Sequence, residues 1–250
     1  MKKPLLQVQG LVKLFGGIRA TDDLHLEVGE GELHALIGPN GAGKTTLIAQ
    51  LSGMLEPTEG RIFFGGEDVT RLDCVQRVRR GMARSFQITS LWPALSLLEN
   101  VIIALQARTE GHAFRFWDRA SDVPSLRQKA TEWLERVGLG AKADRLAQAL
   151  SHGERRQLEL AVTLATGPRL LLLDEPMAGM GIEDSHRMVA LLQELRLQYT
   201  ILLVEHDMDA VFALADRISV LVYGHCVATG TPDEIRADPQ VRAAYLGEEA

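Results

Sequence analysis

The amino-acid sequence predicts an α/β fold in which a parallel sheet is preceded by a β-rich segment and interrupted by a helical insertion. Three observations predict it. A short apolar run, Leu33-His34-Ala35-Leu36-Ile37, feeds the glycine-rich turn Gly38-Pro39-Asn40-Gly41-Ala42-Gly43-Lys44-Thr45, and a helical pattern from Thr46 to Leu51 follows, closed by Gly53. From Arg169 onward strand and helix patterns alternate: Leu170 to Leu173, then about Asp184 to Gln198, then Thr200 to Val204. That alternation is the mark of parallel βαβ units. Between about Ser96 and Leu150 helical periodicity dominates, with Leu126, Ala130, Trp133, Leu134 and Val137 at i, i+4, i+7, i+8 and i+11.

Taken in chain order, the first third reads as short strands joined by tight turns. Leu5 to Val12 and Leu24 to Val28 are strands, Gly29-Glu30-Gly31-Glu32 is a turn, and Arg61 to Phe64 is a strand before Gly65-Gly66. Ser96-Leu97-Leu98-Glu99 has capping-box spacing, so a helix starts there; Glu110 to Pro124 reads as irregular. The helix around 184–198 presents Met188, Leu191, Leu192 and Leu195 on one face. Asp207 caps a helix from Met208 to Ala215, Ile218 to Tyr223 and Cys226 to Thr229 form a hairpin, and Thr231-Pro232-Asp233-Glu234 opens a C-terminal helix.

With 250 residues, 46% hydrophobic and 24% charged, the chain can bury a sizeable core as one large domain or two unequal lobes. Its net charge of −6 argues against a broad nucleic-acid-binding face, which needs a basic excess. Cys74 and Cys226 have no metal-ligand spacing and fit a reducing compartment. No apolar run approaches the ~20 residues that span a bilayer, and the opening MKKPLLQVQG lacks a signal-peptide core, so a cytoplasmic location is expected.

Residues 38–45 match the pattern G-x-x-x-x-G-K-[ST] between a strand and a helix. Such a turn aims backbone N–H groups and the positive end of a helix dipole at one anion, which suits a nucleotide's phosphates. Gly38, Pro39, Asn40, Gly41, Ala42, Gly43, Lys44, Thr45 and Thr46 are therefore candidate nucleotide contacts, with Lys44 on the outer phosphates and Thr45 on Mg²⁺. Three more polar sites each follow a short strand: Gln87 after Ala83-Arg84-Ser85-Phe86, Asp174-Glu175 after four leucines, and Glu205-His206 after Ile201 to Val204. In a parallel sheet those positions share the carboxyl edge, where open α/β sheets bind ligands. Chemistry then assigns Asp174 to the Mg²⁺ shell, Glu175 as general base, and His206 to the γ-phosphate or the attacking water; Gln87 senses metal and water.

Leu150-Ser151-His152-Gly153-Glu154 corresponds to the LSGGQ signature, and with it the chain resembles the ATP-binding subunit of an ABC transporter over nearly its whole length. The resemblance implies a P-loop NTPase (RecA-like) core with an N-terminal antiparallel β subdomain and an inserted α-helical signature subdomain. It divides a single domain, 1–250, into 1–90 with 160–250 and a helical part, 91–159. It implies that Ser151 and the Gly153 amide, opening a helix from Arg155 to Ala165, bind the γ-phosphate held by a second subunit, and that Phe15 stacks on adenine. Two departures stand out. His152 and Glu154 replace Gly and Gln, placing negative charge near a phosphate site, and Gly181 stands where an Asp or Asn usually couples the two sites.

Lys13-Leu14-Phe15-Gly16-Gly17, Ala83 to Gln87, Ala178-Gly179-Met180 and the tail Ala244-Tyr245-Leu246-Gly247 resemble the branched-chain or hydrophobic amino-acid uptake systems, with the related urea importers as the alternative. The implied partners are a second ABC ATPase, identical or not, two permeases and, indirectly, a periplasmic solute-binding protein, with the chain on the cytoplasmic face of the inner membrane. Ile88, Leu91, Trp92, Leu95, Leu97 and Leu98 would form the groove for a permease helix. A soluble ABC-type protein acting on DNA or ribosomes is the competing class; neither a duplicated cassette nor a basic arm is visible.

Overall fold

The computed structural model describes residues 4–85, 91–108 and 124–241. Among these residues ten strands form two sheets. β1 (Pro4–Phe15) and β2 (Ile18–Gly29) make a long hairpin, and β4 (Glu59–Phe64) and β5 (Glu67–Asp68) extend it into an antiparallel sheet of order β2-β1-β4-β5. Both hairpin strands are longer than the apolar runs suggest. Residues 18–23 are mostly polar and only Thr21 among them is buried, so backbone pairing with β1, more than burial, makes them a strand.

The second sheet contains β3 (Leu33–Ile37), β6 (Met82–Ser85), β7 (Leu170–Asp174), β8 (Thr200–Val204), β9 (Arg217–Val222) and β10 (His225–Gly230), in the order β10-β9-β3-β8-β7-β6. All neighbours are parallel except the β9–β10 hairpin. Its central strands are apolar on both faces because both faces are covered. Leu33, Ala35, Ile37, Leu171, Leu173, Ile201 and Leu203 enter one core, shared with the helices, whereas Leu36, Leu170, Leu172, Leu202 and Val204 enter a second core facing the antiparallel sheet. Each fully buried leucine of this kind contributes about 1.5–3 kcal/mol.

Helix α1 (Lys44–Leu51) begins at Lys44, two residues before the apolar pattern, because the first-turn side chains of Lys44 and Thr45 are polar. Its end is fastened by Arg77 on α2 (Cys74–Arg79). The buried guanidinium donates to the carbonyls of Gln50 and Leu51 at 2.6 and 2.7 Å and to those of Leu72 and Thr70 at 2.9 Å. The last-turn carbonyls of Gln50 and Leu51 lack an i+4 helical donor, and Arg77 supplies one to both, alongside the Gly53 N–H on Gln50 at 3.2 Å. Burial brings the Arg77 pKa down to about 10.

The helical insertion comprises α3 (Leu97–Arg108), α4 (Pro124–Arg136) and the start of α5 (His152–Ala165), whose single run carries it back into the main core. The division drawn between residues 159 and 160 falls inside α5. The Ser96–Glu99 capping box is present: Glu99 N–H donates to Ser96 Oγ at 3.1 Å and Ser96 N–H to Glu99 Oε2 at 2.7 Å. Leu97 and Leu98 are 0% and 3% exposed and pack inside this lobe, so they belong to its interior and not to a surface groove. The segment expected to be irregular, 110–123, lies outside the described residues. Helices α6 (Ile182–Leu195), α7 (Met208–Leu214) and α8 (Pro232–Ala237) complete the fold; Thr231 and Glu234 form the expected box at α8, and Asp207 caps α7.

Candidate functional site

The strand order places β3, β8 and β7 side by side, with β6 next to β7. Their carboxyl ends lead into the glycine-rich turn, Glu205-His206, Asp174-Glu175 and the segment containing Gln87 respectively. Gln87 itself, with Phe86 and Ile88, lies outside the described residues. Glu175 N–H donates to the Val204 carbonyl at 2.9 Å, joining the exits of β7 and β8.

The turn after β3 needs its glycines for two distinct reasons. Gly38 (φ +150°) and Gly43 (φ +103°) adopt conformations that L side chains resist, and added Cβ atoms would lie 2.0 Å from the Leu221 carbonyl oxygen and 2.2 Å from that of Ala20. Gly43 also caps α1 without any side-chain hydrogen bond, leaving the first-turn amides to an external anion. Lys44 is 8% exposed and folds over the turn, its Nζ donating to the carbonyls of Gly38 and Pro39 at 2.6 and 3.0 Å. Burial lowers its pKa, and the nearby carboxylates of Glu175 and Asp174 oppose that shift. Asn40, Gly41 and Thr45 are exposed at the rim, with Thr46 half-buried behind them.

Asp174 is almost fully buried at the end of β7. Its Oδ2 accepts a hydrogen bond from Arg84 Nη2 at 2.9 Å, while its Oδ1 is buried with no partner. Burial raises the Asp174 pKa and the Arg84 guanidinium opposes this. Glu175, half-buried, holds φ +50°, a left-handed conformation uncommon outside glycine. His206 is exposed at the head of the β8 loop. Behind it the buried Glu205 carboxylate accepts from the amides of Met177 and His206, both at 3.0 Å, so it braces the loops after β7 and β8 together. Burial raises the Glu205 pKa, and those two amides counter the rise.

Phe15 lies near the tip of the β1–β2 hairpin, half exposed, with Lys13 Nζ 5.5 Å from its ring centroid. The Ala20 backbone of the same hairpin touches Gly43, which ties Phe15's hairpin to the phosphate turn. Ser151 and Gly153 sit elsewhere, at the N-terminus of α5 against the first turn of α6. The helix begins at His152, three residues before the expected Arg155, because Ser151 and Glu154 form a capping box. Glu154 also pairs with Lys142, whose hydrogen bond is the main reason its pKa is lowered. Its charge is thus engaged within the insertion and is not left facing an anion. His152 Nε2 lies 3.1 Å from the Ala178 carbonyl, linking the α5 terminus to the loop that follows Glu175. Gly181 caps α6 with backbone alone.

The residues fit a nucleotide with its cation. A lysine-bearing turn at an uncapped helix end suits phosphates, and an orphaned buried carboxylate oxygen on Asp174 suits a cation. Among the described residues no group of three or more His, Cys, Asp or Glu side chains forms a closed metal cage. Mg²⁺ needs none, since it keeps waters and is held by one or two carboxylates plus substrate phosphates.

Residues 21–178 match the family described as ABC transporter. The chain belongs to that family. It is an ATP-binding cassette, and residues 226–250 match the family described as branched-chain amino acid ATP-binding cassette transporter. The cassette is 40% identical over 99% of its length to the whole of the high-affinity branched-chain amino acid transport ATP-binding protein LivG of Escherichia coli (strain K12). It is 39% identical, again over 99% of its length, to the whole of the corresponding protein BraF of Pseudomonas aeruginosa. A crystal structure of the ADP conformation of an ATP-binding cassette of an ABC transporter superposes with a TM-score of 0.86 at 30% identity, covering 99% of this chain and 100% of that one. The cassette is accordingly a nucleotide-binding ATPase of the P-loop type.

Three features of the cassette are absent from the sequence-based expectations, and the sequence signals them unequally. The Arg84 contact to Asp174 joins residues 90 positions apart, and nothing local announces it. The bracing carboxylate of Glu205 was visible only as a charged residue ending an apolar strand. The capping role of Glu154 was readable in the spacing Ser151-x-x-Glu154.

Proposed function

We propose that the chain powers an importer of branched-chain or other hydrophobic amino acids, acting at the cytoplasmic face of the cell membrane as one half of an ATPase dimer. The observation that carries this reading is the meeting of the phosphate turn, Asp174-Glu175 and His206 at the ends of three adjacent parallel strands. The transport ATP-binding proteins LivG and BraF support the choice of substrate class.

In this reading the turn amides and Lys44 hold the phosphates, Phe15 stacks on the adenine, and the Thr45 hydroxyl, Asp174 and Gln87 hold Mg²⁺. When bound, Mg²⁺ supplies charge neutralisation at the transferred phosphoryl group. Glu175 accepts the proton of the water that attacks the γ-phosphorus, and His206 orients that water by a hydrogen bond. Ser151 and the Gly153 amide, presented at the head of α5, complete the site of a second subunit. Residues 1–90 with 160–250 act as the nucleotide lobe and 91–159 as the signature lobe.

Leu91 lines a cavity of about 110 Å³ between α5 and the nucleotide lobe, together with Cys74, Val78, Arg84 and Val162, and the next residue, Trp92, is half exposed. We assign this face to a permease helix, which would move with closure of the two lobes.

The test is reconstitution with permease subunits of a branched-chain amino-acid importer. A leucine-loaded solute-binding protein should stimulate ATP hydrolysis in proteoliposomes, and Lys44→Ala should abolish the stimulation. Stimulation by a urea-loaded protein instead would transfer the assignment to urea import. Cosedimentation with ribosomes or DNA at moderate salt, and no association with permeases, would contradict a transport role.

A further inference from the structure

Arg84 is the penultimate residue of β6, and its side chain is 8% exposed against 0% for that of Asp174. One guanidinium nitrogen, Nη2, donates to Asp174 Oδ2 at 2.9 Å. Nη1 lies 3.3 Å from Met54 Sδ, and Nε has no partner. The strands that carry the pair run parallel and adjacent, Arg84 in register with Leu172, so the guanidinium approaches Asp174 from a fixed backbone. A buried ion pair that makes one charged hydrogen bond is poor value as a stabiliser, because desolvating two charges offsets most of the attraction. Its geometry is specific, however. It engages one carboxylate oxygen and leaves the other, Oδ1, buried and unpartnered.

We propose that Arg84 is a positioning residue of the cation site: by fixing Oδ2 it sets the carboxylate plane of Asp174 so that Oδ1 is offered to Mg²⁺. This rests on the nucleotide-binding role given above. Partners that orient a metal ligand typically change metal affinity by about 10–100-fold when removed. Arg84 also opposes a simpler electrostatic expectation, since its positive charge by itself repels a cation. The two effects have opposite signs and are separable by experiment.

Mn²⁺ replaces Mg²⁺ as the probe, and free Mn²⁺ is followed by electron paramagnetic resonance as it binds the full chain with a non-hydrolysable ATP analogue. Arg84→Gln should weaken Mn²⁺ binding by about tenfold or more, and Arg84→Lys, which keeps the charge but loses the planar fork, should fall between Gln and the unaltered chain. Affinity for a fluorescent ATP analogue without metal should stay unchanged in both, a result that a merely structural role would not give. Unchanged or tighter Mn²⁺ binding in Arg84→Gln would overturn the proposal, as would parallel loss of metal-free nucleotide binding. If Arg84→Gln does not fold, Arg84→Lys decides, and an affinity equal to that of the unaltered chain overturns the proposal. Failure of the unaltered chain to bind Mn²⁺ with nucleotide would instead remove the nucleotide-site reading itself.

Discussion

The N-termini of α1 and α5 are closed differently: α1 is capped by Gly43 with no side-chain bond, whereas α5 is closed by the Ser151–Glu154 box and by Lys142 on Glu154. At α1 the donors stay open, Lys44 is held over the turn, and the buried Asp174 stands nearby. At α5 one donor is already satisfied inside the chain. Ser151 Oγ accepts from Glu154 N–H and its hydroxyl also hydrogen-bonds the Glu154 carboxylate, so the box fixes its orientation. Affinity for a nucleotide should therefore reside in the α1 end, while the α5 end contributes an oriented hydroxyl and a helix dipole to a nucleotide already bound.

The largest effect expected is on turnover. Glu175→Gln should lower ATP hydrolysis by about 10²–10⁴-fold while leaving binding intact, because only the proton acceptor is lost. Near-normal hydrolysis would refute Glu175 as the base. The comparison is attacked directly by Lys44→Ala and Ser151→Ala in calorimetry on the isolated chain. Losing one charged hydrogen bond of ~1.5–3 kcal/mol should weaken ATP binding on the order of tenfold to a hundredfold for Lys44→Ala. Ser151→Ala should leave that affinity nearly unchanged, and equal losses in both variants would erase the distinction between the two ends.

Ser151→Ala has its own expected cost. Removing an N-cap serine destabilises by ~1 kcal/mol, to be read from urea unfolding. The smallest effect concerns acid. Glu154 has its folded pKa below the ordinary value of 4.5, through Lys142 first and the Ser151 amide second. Its contribution to stability is thus present above that value and is lost as pH falls through the lowered folded pKa. The melting temperatures of the unaltered chain and of Glu154→Gln should differ at pH 6 and converge toward pH 3. A gap that widens in acid would contradict the pairing.

The ease with which the sequence yields these ends differs for physical reasons. β3, β7 and β8 are buried on both faces, so Leu170–Leu173 and Ile201–Val204 announce themselves as continuous apolar runs and Leu33–Ile37 as one broken only by His34. The groups that follow them are fixed by chain direction alone, and the carboxyl edge could be assembled before any coordinates. Strand residues 18–23 were hidden because mostly polar positions with only Thr21 buried carry no burial pattern. Leu97 and Leu98 were ambiguous because an apolar helix start fits either a surface groove or an interior, and only the packing of α3 against α4 and α5 decides. Arg84 was invisible since its partner lies across a strand pairing that sequence spacing does not encode. Glu154 carries the same cap spacing as Glu99, whereas its pairing with Lys142, 12 positions away, is not written in that spacing.

The most direct test of the account is sedimentation of Glu175→Gln, in which bound ATP persists. With ATP and Mg²⁺ it should sediment as a dimer, with ADP as a monomer, and adding Ser151→Ala should return the ATP-bound protein to monomer. A monomer at saturating ATP, or a dimer indifferent to the change at Ser151, would contradict a nucleotide shared between the α1 end of one chain and the α5 end of another.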